Sequence, residues 1–264
     1  VASGFWFNAG GESCAQVNIT EDGNVVVTTG HPDIGGSRAS IANITAELLG
    51  IDVNRVSVLI GDTASIGFSN LTGGSRVLFA SAMVVTESTK QVVDILKQRA
   101  AKIWKIDEDA VNWENGEARP AGDNAGKFKP LTLAEIADKA TPTGGPIGAG
   151  HQVNTVGAEG GFATHICDVE VDIELGIARV IRYTAVQDVG KAVHPAYVEG
   201  QLQGGVAQGI GWALNEEYIY NNKGHLDNPG FLDYRIPVCS DLPMIDTVLV
   251  EVPNPKHPQG VRGV

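Results

Sequence analysis

The sequence predicts an α+β fold of mixed α/β type, in which two related lobes each run strand–strand–helix–strand. Three observations predict it. Alternating apolar and polar runs occur in pairs around turn residues, a helical period follows each pair, and this order occurs twice along 264 residues. The lobes are placed at residues 1–140 and 162–264, with a Gly/Pro-rich connection at 141–161.

In the first lobe, CAQVNITEDGNVVVTTG (14–30) reads as a hairpin turning at Glu21-Asp22-Gly23-Asn24. The next segment, DIGGSRASIANITAELLG (33–50), is helical from Ile41 onward, because Ile41, Ile44 and Leu48 fall on one face. RVSVLIGD (55–62) is a strand. A glycine-rich loop, TASIGFSNLTGGSR (63–76), leads into a long helix from about Val77 to Trp104. The first half of that helix is apolar all round, whereas the second carries Lys90, Asp94, Lys97 and Arg99 on an outer face. Residues 107–119 suggest a short hairpin turning at Asn115-Gly116, and LTLAEIADKA (131–140) a short capped helix.

The second lobe repeats the order. Strands at 163–173 and 177–187 flank Leu175-Gly176, and Pro195 opens a helix that runs to about Leu214. A hairpin around NNKG (221–224) and a strand at 246–252 follow.

Composition narrows the function. With 19 basic against 31 acidic residues the formal charge is −12, which argues against nucleic acid as a partner. No run of 18 apolar residues is available to span a membrane. VASGFWFNAGG, at the start, has neither an initiator Met nor a signal-peptide pattern and reads as the interior of something longer. Cys14, Cys167 and Cys239 form no C-x-x-C pair, which suggests neither zinc nor an iron–sulfur cluster; buried thiols in a reducing, cytoplasmic compartment are expected. The six histidines include no i, i+4 pair, and Glu216-Glu217 reads as a solvated helix end.

Glycine is the outlier, at 33 of 264 residues, about one in eight against a usual ~7%. The excess gathers at helix starts. Gly35-Gly36-Ser37 stands where a polar cap and good helix formers would be more stable, and Gly73-Gly74-Ser75-Arg76 precedes the long helix. In EGQLQGGVAQGIGWAL, Gly200, Gly204, Gly205, Gly209 and Gly211 lie inside the expected helix. Together those five cost roughly 4–5 kcal/mol of helix propensity relative to alanine. For that stretch, tight packing against a neighbouring helix and contact with a ligand both remain open. The first two sites point to a ligand bearing phosphate, since a helix N-terminus offers unpaired amides and the positive dipole end. Named nucleotide motifs fail: there is no G-x-x-x-x-G-K-[ST] and no G-x-G-x-x-G after a strand.

Five stretches, taken in order, resemble the molybdopterin-binding subunits of the xanthine dehydrogenase and aldehyde oxidase family over nearly the whole chain. DIGGSRASIANITAELLGIDVNRVSVLIGDT is similar to the family's Gly-Gln-Gly segment, helix and strand ending in Gly-Asp-Thr. TGGSR is similar to its Gly-Ser-Arg loop, and residues 168–217, DVEVDIELGIARVIRYTAVQDVGKAVHPAYVEGQLQGGVAQGIGWALNEE, are the most specific piece. NPGFLDYRIP and VPNPKHPQGVRGV complete the order.

The resemblance implies part of a molybdenum hydroxylase, an oxidoreductase that oxidises an aldehyde or N-heterocycle with oxygen derived from water. Its cofactor would be molybdenum–molybdopterin, in the simple or the cytosine dinucleotide form, with the metal held by the pterin dithiolene and by no side chain. Carried over by motif, Gly35, Gly36 and Ser37 would lie against the cofactor. Gly74, Ser75 and Arg76 would hold its phosphate end, with Gly73 also against the cofactor, while Gly200 and Gln201 would hydrogen-bond the pterin. Two departures follow. Where the family has Gly-Gln-Gly, this chain has Gly35-Gly36-Ser37 and so lacks a side-chain amide. The family's general base, the Glu of Gly-Val-Gly-Glu, falls two positions beyond Val264, so no catalytic residue is assigned within the chain. The chain is therefore expected to be the second, C-terminal molybdopterin-binding domain, inactive alone. Its partners would be the first molybdopterin-binding domain and the domains or subunits carrying iron–sulfur clusters and flavin. The competing class is a non-catalytic module that binds a phosphate ligand or a partner on the same scaffold.

Overall fold

The computed structural model describes residues 1–62, 64–157 and 159–264. Thr63, which ends the Gly-Asp-Thr motif, and Ala158, within the expected connection, lie outside the described residues.

The chain opens with β1 (Ala2–Trp6), then forms β2 (Gly11–Ile19) and β3 (Val25–Thr29), the expected antiparallel hairpin. Alternation places Val17, Val25 and Val27 on one side, where all three are fully buried. Helix α1 (Ser37–Leu49) carries the chain across to β4 (Val56–Ile60), which lies parallel to β3. Helix α2 (Arg76–Trp104) then packs on β2 with Val84, Val85, Val92, Leu96 and Ala100 wholly buried. That helix is one residue longer at its start than its apolar period suggests.

A small sheet follows, formed by β5 (Val111–Glu114), β6 (Glu117–Pro120) and β7 (Leu131–Thr132). Asn115 and Gly116 both take positive φ, as a two-residue hairpin turn requires. Thr132 and Glu135 form a reciprocal capping box on α3 (Leu133–Asp138), which is shorter than the 131–140 segment expected. A single turn, α4 (Ala140–Thr143), leads to β8 (Ile147–Thr155).

Here the structure departs from the sequence reading. Residues 141–161, expected as a connection, contain β8, which pairs antiparallel along β2 from Gly11 to Ile19. Four glycines and a proline within 144–150 hide the strand's alternation, yet its register is set by the full length of β2. The chain next forms β9 (Gly161–Asp172) and β10 (Ile177–Asp188), antiparallel to each other. Helix α5 (Pro195–Leu214) crosses to β11 (Ile245–Val250), parallel to β10. Ala185, Val206, Ile210 and Ile245 form the small core beneath α5. The segment around NNKG is a turn closed by one Tyr220–Leu226 bridge rather than a two-stranded hairpin.

The two four-stranded sheets share one plan. Their orders are β4-β3-β2-β8 and β1-β9-β10-β11. Each contains an antiparallel pair, a helical crossover to a parallel third strand, and a fourth strand antiparallel to the first. The fourth strands are exchanged along the chain: β1 joins the later sheet and β8 the earlier one. Among the described residues no helix is long and apolar enough to cross a membrane.

Candidate functional site

Gly35 and Gly36 have φ of 61° and 73°, so the turn before α1 passes twice through the left-handed region. Neighbours also forbid side chains there. A Cβ on Gly36 would stand 2.5 Å from the Tyr197 ring, and one on Gly35 would stand 3.0 Å from the Gln201 carboxamide. The first glycine turn is therefore pressed against the start of α5. Ser37 is 3% exposed and its hydroxyl donates to the Pro32 carbonyl at 3.2 Å, so it anchors the turn from within.

The second turn ends in Ser75, whose φ of 55° caps α2 without a side-chain hydrogen bond. Gly74 sits on Ala9, where a Cβ would approach to 2.8 Å. The structure corrects the expectation for Arg76. Its side chain points back into the fold and the residue is only 2% exposed. Nε donates to Gly10 O at 2.6 Å, Nη1 to Asn70 O and Leu71 O at 3.0 and 3.1 Å, and Nη2 to Glu12 O and Ser13 Oγ at 2.8 and 3.2 Å. A guanidinium has five N–H donors, and here all five are engaged by protein acceptors. The side chain thus has no donor left for a phosphate; its charge remains. Burial draws the Arg76 pKa down and the Glu12 carboxylate draws it back up, but a guanidinium stays protonated at neutral pH.

In α5, the alternative of tight helix packing fails within this chain. A Cβ on Gly200, Gly204, Gly205 or Gly209 would meet nothing within 4 Å. Of these five, Gly211 alone is packed, against the side chains of Glu216 and Pro237. The glycine face of α5 stands open.

One cleft of about 240 Å³, lined by segments within 34–78 and 189–264, gathers these pieces. Of the residues predicted from sequence, Gly35, Gly73, Ser75, Arg76 and Gln201 line it, whereas Gly36, Ser37, Gly74 and Gly200 lie behind or beside it. His194, Tyr197, Lys191 and Val264 also line it and were missed. The His194 and Tyr197 rings lie with centroids 4.2 Å apart, tilted at 41°; Pro195 marks the helix start beside them. The volume is below the ~300–1,000 Å³ usual for a ligand pocket.

The tail closes the cleft. Arg262 pairs with Asp188 at 3.1 Å, the two side chains 7% and 16% exposed, and donates to Gly160 O at 2.9 Å. Gly263 N donates to Asn8 Oδ1 at 2.5 Å. A Cβ on Gly263 would meet Ser75 at 2.8 Å, so only a glycine lets the tail lie against the second turn. Among the described residues no group of three His, Cys, Asp or Glu side chains is placed to hold a metal ion.

His31 adds a pH dependence. Burial first, and the Arg76 charge second, push its pKa down to about 4. An unfolded histidine titrates near 6.5, so between about pH 6.5 and 4 the unfolded chain binds a proton that the folded chain refuses. Stability is therefore full above pH 6.5 and falls as the pH drops, by on the order of 3 kcal/mol from this group. Urea unfolding at pH 7 and pH 4.5 is expected to show this loss, and His31→Gln to show a distinctly smaller one.

The profile of the molybdopterin cofactor-binding domain family matches residues 1–243. The carbon monoxide dehydrogenase large chain of Hydrogenophaga pseudoflava is 28% identical over 259 residues, 96% of this chain and 32% of that protein. The nicotine 6-hydroxylase large subunit of Paenarthrobacter nicotinovorans is 29% identical over 262 residues, 95% of this chain and 31% of that one. The crystal structure of quinoline 2-oxidoreductase from Pseudomonas putida 86 has a TM-score of 0.82 at 29% identity, covering 96% of this chain and 33% of its own. The chain spans about a third of the length of these relatives.

Proposed function

The chain belongs to the molybdopterin cofactor-binding domain family, and from that premise we propose that it is the second cofactor-binding domain of a molybdenum hydroxylase. One observation carries the reading: Gly35, Ser75, Gln201 and Val264, from four separate segments, line a single cleft. Segments within 34–78 and 189–264 contribute its two sides.

The residues fit the cofactor. Gly35 lets the turn close onto Gln201, and both line the cleft, where Gln201 offers an amide donor and acceptor to a pterin edge. A phosphate end would lie on main-chain amides of the 73–76 turn, at the positive end of α2. Arg76 assists through its buried charge rather than through hydrogen bonds, since its contacts are neutral acceptors. The open glycine face of α5 accommodates the rest of the cofactor or the missing first domain. When bound, the cofactor supplies molybdenum redox chemistry that oxidises a carbon of the substrate with oxygen from water. The chain's own part is to bind, orient and exclude water, and its tail leads toward the cleft the segment expected to carry the general base.

Nicotine and quinoline, named in two relatives, are N-heterocycles, which supports that substrate class beside aldehydes. The remaining two thirds would supply the first cofactor domain, with iron–sulfur and flavin groups on partner domains or subunits; alone, this chain would be inactive. Of the three thiols expected to be buried, Cys14 is, whereas Cys167 is half-buried and Cys239 exposed; all three are unpaired, which suits a reducing, cytoplasmic location. The test is metal and pterin analysis of the full-length protein. About one molybdenum and one pterin per copy is expected, in the cytosine dinucleotide form if hydrolysis releases CMP. A full-length protein that binds phosphate but no molybdenum would instead support the non-catalytic module.

A further inference from the structure

The donors that Arg76 withholds from the cleft lead to two residues with no assigned role. Ser13, on β2, and His31, two residues past β3, are each 1% exposed. Arg76 Nη2 donates to Ser13 Oγ at 3.2 Å, and Ser13 Oγ lies 2.7 Å from His31 Nε2. The guanidinium only donates, and among the described residues His31 Nε2 is the one remaining partner of Ser13 Oγ, so the serine proton is directed to His31. His31 Nε2 is then the acceptor and its proton resides on Nδ1, a buried nitrogen with no hydrogen-bond partner among the described residues. A buried unpaired N–H is unfavourable, and an apolar residue would avoid it. Retention of the imidazole calls for a benefit elsewhere.

That benefit lies in what the chain of contacts joins. His31 begins the segment that becomes the Gly35-Gly36 turn, while Arg76 is the first residue after the 73–75 turn. Both turns line the same cleft. We propose that Ser13 and His31 are positioning residues which, through Arg76, hold the two glycine turns at a fixed separation before the ligand arrives. The inference rests on the cofactor reading above and names the parts that preorganise the cradle. A preformed cradle loses less freedom on binding and so holds its ligand longer.

The test uses the full-length enzyme, with molybdenum retained after dilution and dialysis followed by metal analysis, alongside the thermal midpoint of the cofactor-free form. Ser13→Ala and His31→Leu are expected to release molybdenum at least about tenfold faster, and the fall in cofactor-free midpoint that Ser13→Ala brings by leaving an Arg76 N–H unpaired is expected to be too small to account for that release. His31→Gln, whose side-chain oxygen still accepts from Ser13, is expected to stay within about twofold of wild type. If His31→Leu does not fold, Ser13→Ala decides on the same measure. Release at the wild-type rate in Ser13→Ala or His31→Leu would overturn the proposal, as would release that tracks a lowered midpoint equally in His31→Gln. A wild-type enzyme purified without molybdenum would overturn the cofactor reading itself, and this proposal with it.

Discussion

Gly35→Val and Gly74→Val, each made in the full-length enzyme, are expected to yield folded protein with less than about a tenth of the wild-type molybdenum. The two act by different routes. At Gly35 the new side chain grows toward the Gln201 carboxamide, 3.0 Å from the Cβ position, and fills the cleft itself. At Gly74 it strikes Ala9 at 2.8 Å, lifting the second turn from its support and weakening the 3.4 Å bond from Ala9 N to Gly74 O. Both positions hold φ near +60°, where an L side chain costs roughly 1–2 kcal/mol and a β-branched one more. A domain stable by about 5–15 kcal/mol survives that loss, so circular dichroism should remain native-like while metal content collapses. Full occupancy in either variant would defeat the proposed contacts.

The second large effect concerns the residue expected two positions after Val264. We expect the parent gene to encode glutamate there, and its change to glutamine to lower kcat by about 10²–10⁴-fold with molybdenum content unchanged. The geometry supports this. Arg262 is clamped by Asp188 and Gly160, and Gly263 by Asn8 and the close approach to Ser75, so Val264 is held at the cleft wall. Two further residues reach at most about 7 Å, which keeps a carboxylate at that position within the cleft's surroundings. An alanine or a stop codon at that position would contradict the enzymatic reading.

Local patterns carried much of the fold. Asp22-Gly23, Asn115-Gly116, the Thr132–Glu135 box and Pro195 each announce a turn or a helix start through chemistry confined to a few residues, and the structure places those features there. The pairing of β1 with β9 and of β2 with β8 was not legible, because it joins residues roughly 130 to 160 apart whose match is decided by packing. The site was half legible. Glycine at 35, 36 and 74 signals a close approach, but only the fold reveals whether a ligand, the Tyr197 ring or Ala9 makes it. Arg76 reads as an anion ligand in sequence because arginine beside a glycine turn looks the same whichever way its donors face. Four carbonyls and one hydroxyl answer the question differently.

The most direct measurement is a crystal structure of the full-length enzyme with its native cofactor. The account predicts pterin density against Gly35 and Gln201, with phosphate on the main-chain amides of the 73–76 turn and no contact from the Arg76 guanidinium. A cofactor seated elsewhere, with this cleft filled by solvent or protein, would contradict it.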